Sequence, residues 1–180
     1  MPMYNEEETI GSVVTRTLRY VDEVICIDDG SSDSSARIAE ACGATVIRHR
    51  VNRGYGGALK TLFLEATKLD ADALVLLDSD GQHETGDIPK LLKPILDGEA
   101  DFAIGSRFVD GGGGTDMPAY RRLGIKVITA ASNLSSDLGI KDTQSGFRAF
   151  SRTALERLRF DSEGMELSLE MLEDAHEKQL

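Results

Sequence analysis

Four short apolar runs, separated by amphipathic segments of helical periodicity, are the feature that most constrains the fold of this chain. The strand-like runs occupy residues 23–28, 44–49, 73–78 and 101–104, and the helix-like segments lie near 6–20, 34–42, 56–68 and 87–97. Alternation of this kind is typical of βαβ units, in which each connection between parallel strands crosses back over the sheet. The sequence therefore predicts an α/β fold with a mostly parallel sheet and helices on both faces.

Two acidic residues follow the third apolar run, because Leu74 to Leu77 leads directly into Asp78, Ser79 and Asp80. In an extended backbone, residues two positions apart point to the same side and lie roughly 6.5 Å apart. Two such carboxylates repel each other and offer hard oxygen ligands to Mg²⁺ or Mn²⁺, with phosphate oxygens of a substrate completing the coordination. The pattern predicts a divalent-cation site, and an acidic turn before the next helix is the alternative.

A second acidic cluster follows the first apolar run, where Ile25 to Ile27 leads into Asp28 and Asp29. In open α/β sheets, ligands bind beyond the carboxyl ends of the strands, so acids at these positions line a cleft. Residues 29–33 also have the composition of a turn and a helix N-cap, but a cap requires only one such residue. We therefore predict that at least one of the two acids binds a ligand.

Composition limits the class of protein. A chain of 180 residues is long enough for one α/β domain with a sizeable core. Its formal net charge of −11 excludes a general nucleic-acid surface, which requires clustered Lys and Arg. Cys26 and Cys42 show no CxxC or zinc-type spacing, and no run approaches the roughly 18 to 20 apolar residues that cross a bilayer. We expect a cytoplasmic domain that can still act peripherally at a membrane surface.

The alternating pattern changes after Arg107. The glycine run from Gly111 to Gly114 predicts a mobile flap, and helices are predicted over residues 118–138 and 163–180. The segment from Pro2 to Thr9 has the pattern of a strand-to-helix junction without its strand. We expect residues 1–180 to form a single domain that lacks its first strand and its C-terminal end.

Six motifs occur along the chain in the order and with the spacing of one enzyme family. They are Pro2-x-Tyr4-Asn5-Glu6, Asp28-Asp29-Gly30-Ser31, Asn52-Arg53-Gly54, Asp78-x-Asp80, Gly105-Ser106-Arg107 and Gln144-Ser145-Gly146-Phe147-Arg148. Together they resemble the family 2 glycosyltransferases, and most closely the synthases that attach a sugar to polyprenyl (dolichyl) phosphate. The resemblance runs to about residue 152 and implies the nucleotide-diphospho-sugar transferase fold of GT-A type, with a Rossmann-like half for the nucleotide.

The resemblance also implies a role for individual residues. Those that match the nucleotide site are Pro2, Tyr4, Glu6, Asp28, Asp29 and Asp78. Those that match the metal and diphosphate site are Asp78, Asp80 and Gln82, with Mg²⁺ or Mn²⁺ as the cofactor. Arg107 and Arg121 match two basic residues that grip the acceptor phosphate, and Asp142 lies next to a segment that forms the floor of the sugar and acceptor site.

The implied reaction moves a sugar, with inversion, from a nucleotide-diphosphate sugar to a polyprenyl phosphate at the cytosolic membrane face. A metal ion neutralises the charge that grows on the leaving nucleoside diphosphate. A phosphate acceptor is already anionic, so it needs positioning by guanidinium groups more than a general base. The predicted catalytic residues are accordingly Asp80 at the metal, Arg107 at the acceptor and Asp142 at the sugar.

Two alternatives stay open. The acceptor could be a hydroxyl group of a glycan or lipid, with Asp142 as the base, since Ile125 replaces a serine that close relatives carry four residues after Arg121. The chain could also be a truncated domain that binds a nucleotide sugar without turnover. His83 could be a distant neighbour of the metal site, but its position favours a surface residue ahead of a helix. The amides of residues 55–57 could face a diphosphate at a helix start.

Overall fold

The computed structural model describes residues 1–106, 124–128, 146–159 and 167–180. Its strands are β1 (Pro2–Met3), β2 (Ile25–Asp28), β3 (Thr45–Arg48), β4 (Ala73–Leu76), β5 (Phe102–Ser106), β6 (Gly124–Ile128) and β7 (Arg148–Ser151). Its helices are α1 (Ile10–Thr17), α2 (Ser35–Ala41), α3 (Gly54–Lys68), α4 (Ile88–Leu96), α5 (Arg152–Arg157) and α6 (Leu167–Glu177), with a 3-10 turn at Thr85–Asp87. No helix in these ranges combines the length and the apolar content needed to cross a bilayer.

The strands form two sheets. The first has the order β1-β2-β3 and is parallel throughout, with Ile27 opposite Ile47 and Pro2. The second has the order β4-β7-β5-β6, and each of its pairings is antiparallel. The predicted α/β fold with a parallel sheet and helices is confirmed, and the second sheet differs from it because its added strands pair antiparallel.

Helices cover both faces of the sheets, as predicted. Successive strand residues point to opposite layers, so Cys26 joins one core cluster and Ile27 the other, and Ala149 and Phe150 divide in the same way. The first cluster contains apolar residues of α1, α2 and α4, and the second contains those of α3, α5 and α6. Burial on both sides explains why β2 and β5 are nearly continuous apolar runs, whereas β3 is exposed at both ends.

Two segments differ from the sequence prediction. Residues 124–128 form β6, which pairs with β5, where a helix over 118–138 was predicted. The β-branched residues Ile125, Val127 and Ile128 suit a strand, and β5 offers an edge to pair with. Pro2 and Met3 form a short strand beside β2 where only a junction was predicted. The glycine run and the rest of the predicted helix lie outside the described residues.

Phe150 provides a test of the second core cluster. Its fully buried ring lies 5.0 Å from that of Phe63 and 4.6 Å from that of Phe102, measured between ring centroids. Replacement of Phe150 by Ala removes these contacts and leaves a cavity, so we expect the free energy of unfolding to fall by about 3 to 5 kcal/mol in urea titrations. Leu64→Ala, at an exposed position of α3, should change it by less than about 0.5 kcal/mol. Equal losses in both variants would contradict this core.

Candidate active site

A cavity of about 420 Å³ opens where β1, β2 and β4 end and α3 begins. The residues that line it are Pro2, Met3, Tyr4, Glu6, Asp29, Asn52, Gly54, Tyr55, Ala58, Asp78, Ser79 and Asp80. The structure thus brings together most of the residues predicted for the nucleotide and the metal. Asp28 and Gln82, which were predicted with them, are not part of this lining.

Asp29 connects three elements at the wall of the cavity. Its backbone N–H donates to the Met3 carbonyl at 2.9 Å, which holds the end of β2 against β1. One carboxylate oxygen accepts from His49 Nδ1 at 2.7 Å and from the Arg53 amide at 2.9 Å, and the other accepts from the Gly54 amide at 2.8 Å. Gly54 has a φ of 77°, a conformation that favours glycine.

These contacts make Asp29 a cap for α3 supplied by a different element. An acid at a helix N-terminus pairs with the unsatisfied amides there and with the positive end of the helix dipole. The first amides of α3 therefore bind a carboxylate of the protein itself. The amides of residues 55–57, which were predicted to face a diphosphate, follow this capped pair, and their role stays a prediction.

Asp28 has a different environment. The side chain is buried, and one of its oxygens accepts from the Ser31 amide at 2.9 Å while the other lies 3.7 Å from Arg48 Nε. These contacts close the turn after β2 and tie it to the end of β3. Of the two acids predicted here, Asp29 is the one that reaches the cavity.

Asp78 and Asp80 both line the cavity, although they lie beyond the end of β4 at Leu76. One oxygen of Asp80 accepts from the Gln82 amide at 2.9 Å, which closes a tight turn. Between the two acids, the buried Ser79 hydroxyl donates to the Pro2 carbonyl at 2.9 Å and fastens the turn to β1. The turn, more than the strand alternation assumed from the sequence, therefore brings the two acids to one cavity.

The chemistry of this donor set suits a shared cation site. Within the described ranges, no three His, Cys, Asp or Glu side chains converge closely enough to hold a metal ion by themselves. Two carboxylates with an open cavity beside them match the way Mg²⁺ is commonly bound, through one or two carboxylates plus substrate phosphates. The predicted third ligand, Gln82, is exposed and contributes its backbone amide to Asp80.

His83 is buried, so its interpretation as a surface residue was wrong. Its Nε2 lies 3.1 Å from one oxygen of Asp78, and its ring stacks on Phe147 with the centroids 5.4 Å apart and the planes at 24°. The exposed neighbours Gly81, Gln82 and Glu84 give no local sign of this burial. The only sequence signal was proximity to the acidic pair.

The motif at residues 144–148 also contacts Asp78. Gly146 lies so close to Asp78 that a β-carbon built on it would be 2.0 Å from the nearer carboxylate oxygen. The next residue, Phe147, is fully buried under His83, and Arg148 is buried beside α6 with a guanidinium nitrogen 3.6 Å from Met171 Sδ. From the family resemblance, Gly146 and Phe147 were assigned to the floor of the sugar and acceptor site, and Arg148 was given no individual role.

Tyr55 lies on the first turn of α3 and faces the same cavity. Burial raises the pKa of its phenol to about 12, with the charge of Asp78 adding to the rise and that of Arg148 opposing it. The hydroxyl is therefore protonated at physiological pH and can donate a hydrogen bond into the cavity. This donor was also missed in the sequence, where Tyr55 was noted only for its place at a helix start.

Arg107, Arg121 and Asp142 lie outside the described residues. The predicted contacts to an acceptor phosphate and to the sugar therefore stay predictions. What the structure describes is the half of the site that was assigned to the nucleotide, the diphosphate and the metal.

Comparison with known proteins identifies the family of this chain. The model of the family described as "Glycosyl transferase family 2" matches residues 1–159. The UDP-N-acetylglucosamine--dolichyl-phosphate N-acetylglucosaminyltransferase of Methanococcus voltae is 32% identical, over 88% of this chain and 70% of the relative. The dolichol-phosphate mannosyltransferase of Pyrococcus furiosus is 33% identical, over 96% of this chain and 51% of the relative.

Solved structures support the fold. Glucosyl-3-phosphoglycerate synthase from Mycobacterium tuberculosis, in complex with Mn²⁺, UDP-glucose and phosphoglyceric acid, superposes with a TM-score of 0.72 at 31% identity. The alignment covers 99% of this chain and 64% of that structure. The chain therefore spans less than two thirds of the solved glucosyl-3-phosphoglycerate synthase and only part of each of the two relatives named above.

The raised pKa of Tyr55 predicts a pH dependence of stability. The phenol of Tyr55 keeps its proton up to about pH 12 in the folded state but releases it from about pH 10 in the unfolded state. Its contribution to the free energy of unfolding is therefore complete below pH 10 and is lost as the pH rises to about 12. Tyr55→Phe removes the ionisable group and should flatten this part of the curve in urea unfolding from pH 8 to pH 12. Tyr20→Phe, the same change at an exposed site, should keep the decline. An unchanged slope in Tyr55→Phe would contradict the assignment.

Proposed function

The chain belongs to glycosyl transferase family 2, and we propose that it forms the donor-binding part of an enzyme that transfers a sugar to polyprenyl phosphate. The observation that carries the proposal is the single cavity that gathers Asp29 from the end of β2 and both Asp78 and Asp80 from the turn after β4. The names of two relatives include dolichol or dolichyl phosphate, which supports this class of acceptor.

The nucleoside would bind between the end of β1 and the start of α3. Tyr4 is 52% exposed at the cavity, so its ring offers an aromatic face on which a base can stack. Pro2, Glu6 and Asp29 line the same cavity. Because Asp29 already accepts three hydrogen bonds, its contact to a base or ribose would use the remaining one of its roughly four lone-pair sites.

Asp78 and Asp80 would hold Mg²⁺ or Mn²⁺ together with the diphosphate of the donor, and a solved neighbour contains Mn²⁺ and UDP-glucose. Such an ion supplies positive charge to the nucleoside diphosphate as it leaves the anomeric carbon. The protonated hydroxyl of Tyr55 can donate to an oxygen of the same diphosphate. Through the cation, Asp78 and Asp80 would orient the donor and keep its phosphates at this edge of the sheet.

The acceptor half of the reaction rests on the sequence. Arg107 and Arg121 would grip the acceptor phosphate, which attacks the anomeric carbon directly and gives inversion. Asp142 would orient the sugar. Since a polyprenyl chain resides in a bilayer, the domain would work at the cytosolic membrane surface.

A second candidate is transfer to a hydroxyl acceptor, with Asp142 as the base. The observation that favours it is the solved neighbour named glucosyl-3-phosphoglycerate synthase, whose structure contains phosphoglyceric acid in place of a lipid phosphate. The two candidates share the donor site and differ in the residue on which acceptor chemistry depends.

Donor binding is tested by calorimetry with UDP-glucose, UDP-N-acetylglucosamine and GDP-mannose in Mn²⁺. We expect one of them to bind, and we expect Asp80→Asn to weaken its binding roughly tenfold or more, because the cation loses a carboxylate. Asp97→Asn removes an acid beyond the end of α4, outside the cavity lining, and should bind the donor normally. Absence of binding for every nucleotide sugar, in Mn²⁺ and in Mg²⁺, would refute the donor site.

Acceptor chemistry is tested by turnover on a short polyprenyl phosphate. Loss of a charge-assisted hydrogen bond costs about 1.5 to 3 kcal/mol, so Arg107→Ala should raise the KM for the acceptor roughly 10- to 100-fold. Asp142→Asn should raise this KM less. Arg37→Ala, at an exposed arginine on α2, is the matched control. A greater dependence on Asp142, with turnover on hydroxyl acceptors, would favour the second candidate instead.

A further inference from the structure

We propose that His83 is a positioning residue that donates a hydrogen bond to one oxygen of Asp78 and so fixes the carboxylate in the orientation that binds the cation. The inference rests on the proposed metal site and extends it to residues that do not touch the ion. Three observations carry it: the hydrogen bond, the packing that fixes the imidazole, and the backbone that confines the carboxylate from another segment.

The hydrogen bond joins His83 Nε2 to Asp78 at 3.1 Å. An ionised carboxylate only accepts hydrogen bonds, so the imidazole must carry its proton on Nε2 and donate it. Asp80 has a comparable contact, since one of its oxygens accepts from the Gln82 amide at 2.9 Å. Each acid of the pair therefore has one oxygen held by an N–H group of the protein. This arrangement orients both acids before any ion arrives.

The imidazole is itself fixed by packing. It is 7% exposed and stacks on Phe147, which is fully buried. Phe147 is fixed in turn by β5, because the Gly105 amide donates to its carbonyl at 2.8 Å and a β-carbon on Gly105 would lie 2.5 Å from its ring. The direction in which His83 donates is thus determined by the second sheet.

Gly146 confines the carboxylate from a third segment. A β-carbon on this residue would lie 2.0 Å from one oxygen of Asp78 and 2.4 Å from the other, so no side chain fits while the acid keeps its position. The side chain of Asp78 is 30% exposed, and it lines the cavity. Its carboxylate has contacts on the protein side and an opening toward the cavity.

The hydrogen bond from His83 opposes the electrostatic repulsion between Asp78 and Asp80. Asp78 and Asp80 share one cavity, and like charges that share a site favour conformations in which they separate. A donor that holds Asp78 in place offsets this tendency before the cation binds. Hydrogen bonds to metal-binding carboxylates typically change metal affinity by 10- to 100-fold when they are removed.

The test compares two substitutions that separate donation from packing. Phenylalanine in His83→Phe can still stack on Phe147 but cannot donate, whereas glutamine in His83→Gln can donate but stacks poorly. Mn²⁺ binding is measured from the free-ion signal in electron paramagnetic resonance, with Mn²⁺ alone and with UDP present. We expect about tenfold weaker Mn²⁺ binding in His83→Phe and a value near wild type in His83→Gln. His176→Phe, at an exposed position of α6, is the matched control.

A merely structural role predicts the reverse order, with Mn²⁺ bound normally by His83→Phe and poorly by His83→Gln, and that result would overturn the proposal. Asp80→Asn is measured in parallel. If it leaves Mn²⁺ binding unchanged, the proposed metal site is wrong and this inference falls with it. If Asp80→Asn abolishes binding while His83→Phe does not weaken it, the metal site stands and only the role of His83 is refuted.

A second pair of variants keeps the proposal testable should His83→Phe fail to fold. Gly146→Ala introduces a methyl group against Asp78 and should weaken Mn²⁺ binding by a similar factor. Gly86→Ala adds the same methyl group where the nearest atom is 3.7 Å away, and it should bind Mn²⁺ as the wild type does. Wild-type affinity in Gly146→Ala would show that the position of the carboxylate does not matter, which overturns the proposal.

Discussion

The carboxylate of Asp29 is the interaction on which the cavity depends, because it joins the ends of two parallel strands to the first turn of α3. It is 4% exposed and accepts from two backbone amides and one imidazole. Hydrogen bonds to a charged group contribute about 1.5 to 3 kcal/mol each, and the helix dipole adds to the attraction. Because α3 is held at this point, Tyr55 lies opposite the acids that follow β4.

Local sequence patterns predicted the first half of the fold well. Each of the four strand-like runs and four helix-like segments overlaps an element of the structure, since burial on both faces leaves an apolar run and a helical period that can be recognised locally. Pairing in the second sheet could not be predicted in this way. Whether residues 124–128 form a helix or a strand depends on the edge of β5, which is distant in sequence.

The residues of the candidate site also fall into two groups: those that a local pattern reveals and those whose position depends on distant parts of the chain. Asp29, Asp78 and Asp80 follow apolar runs, so the rule that ligands bind beyond the carboxyl ends of strands was enough to predict that they line one cleft. His83 was misjudged because its burial comes from Phe147, more than sixty positions later in the chain. The capping of α3 by Asp29 was missed for a similar reason, since it requires β2, β3 and α3 to be in place together.

The strand order determines which part of the candidate site can fold first. In the described part of the chain, β4 pairs only with β7, so the strand that leads into Asp78 gains its ladder partner about seventy residues later. The ladder pairs of the first sheet, by contrast, all lie between Pro2 and Arg48. Contacts that are distant in sequence form late, because loop closure costs entropy before any contact compensates for it. On the ribosome, the strands that lead into Tyr4 and Asp29 would therefore pair early. The turn that carries Asp78 and Asp80 would become ordered only after residues 146–151 have been synthesised.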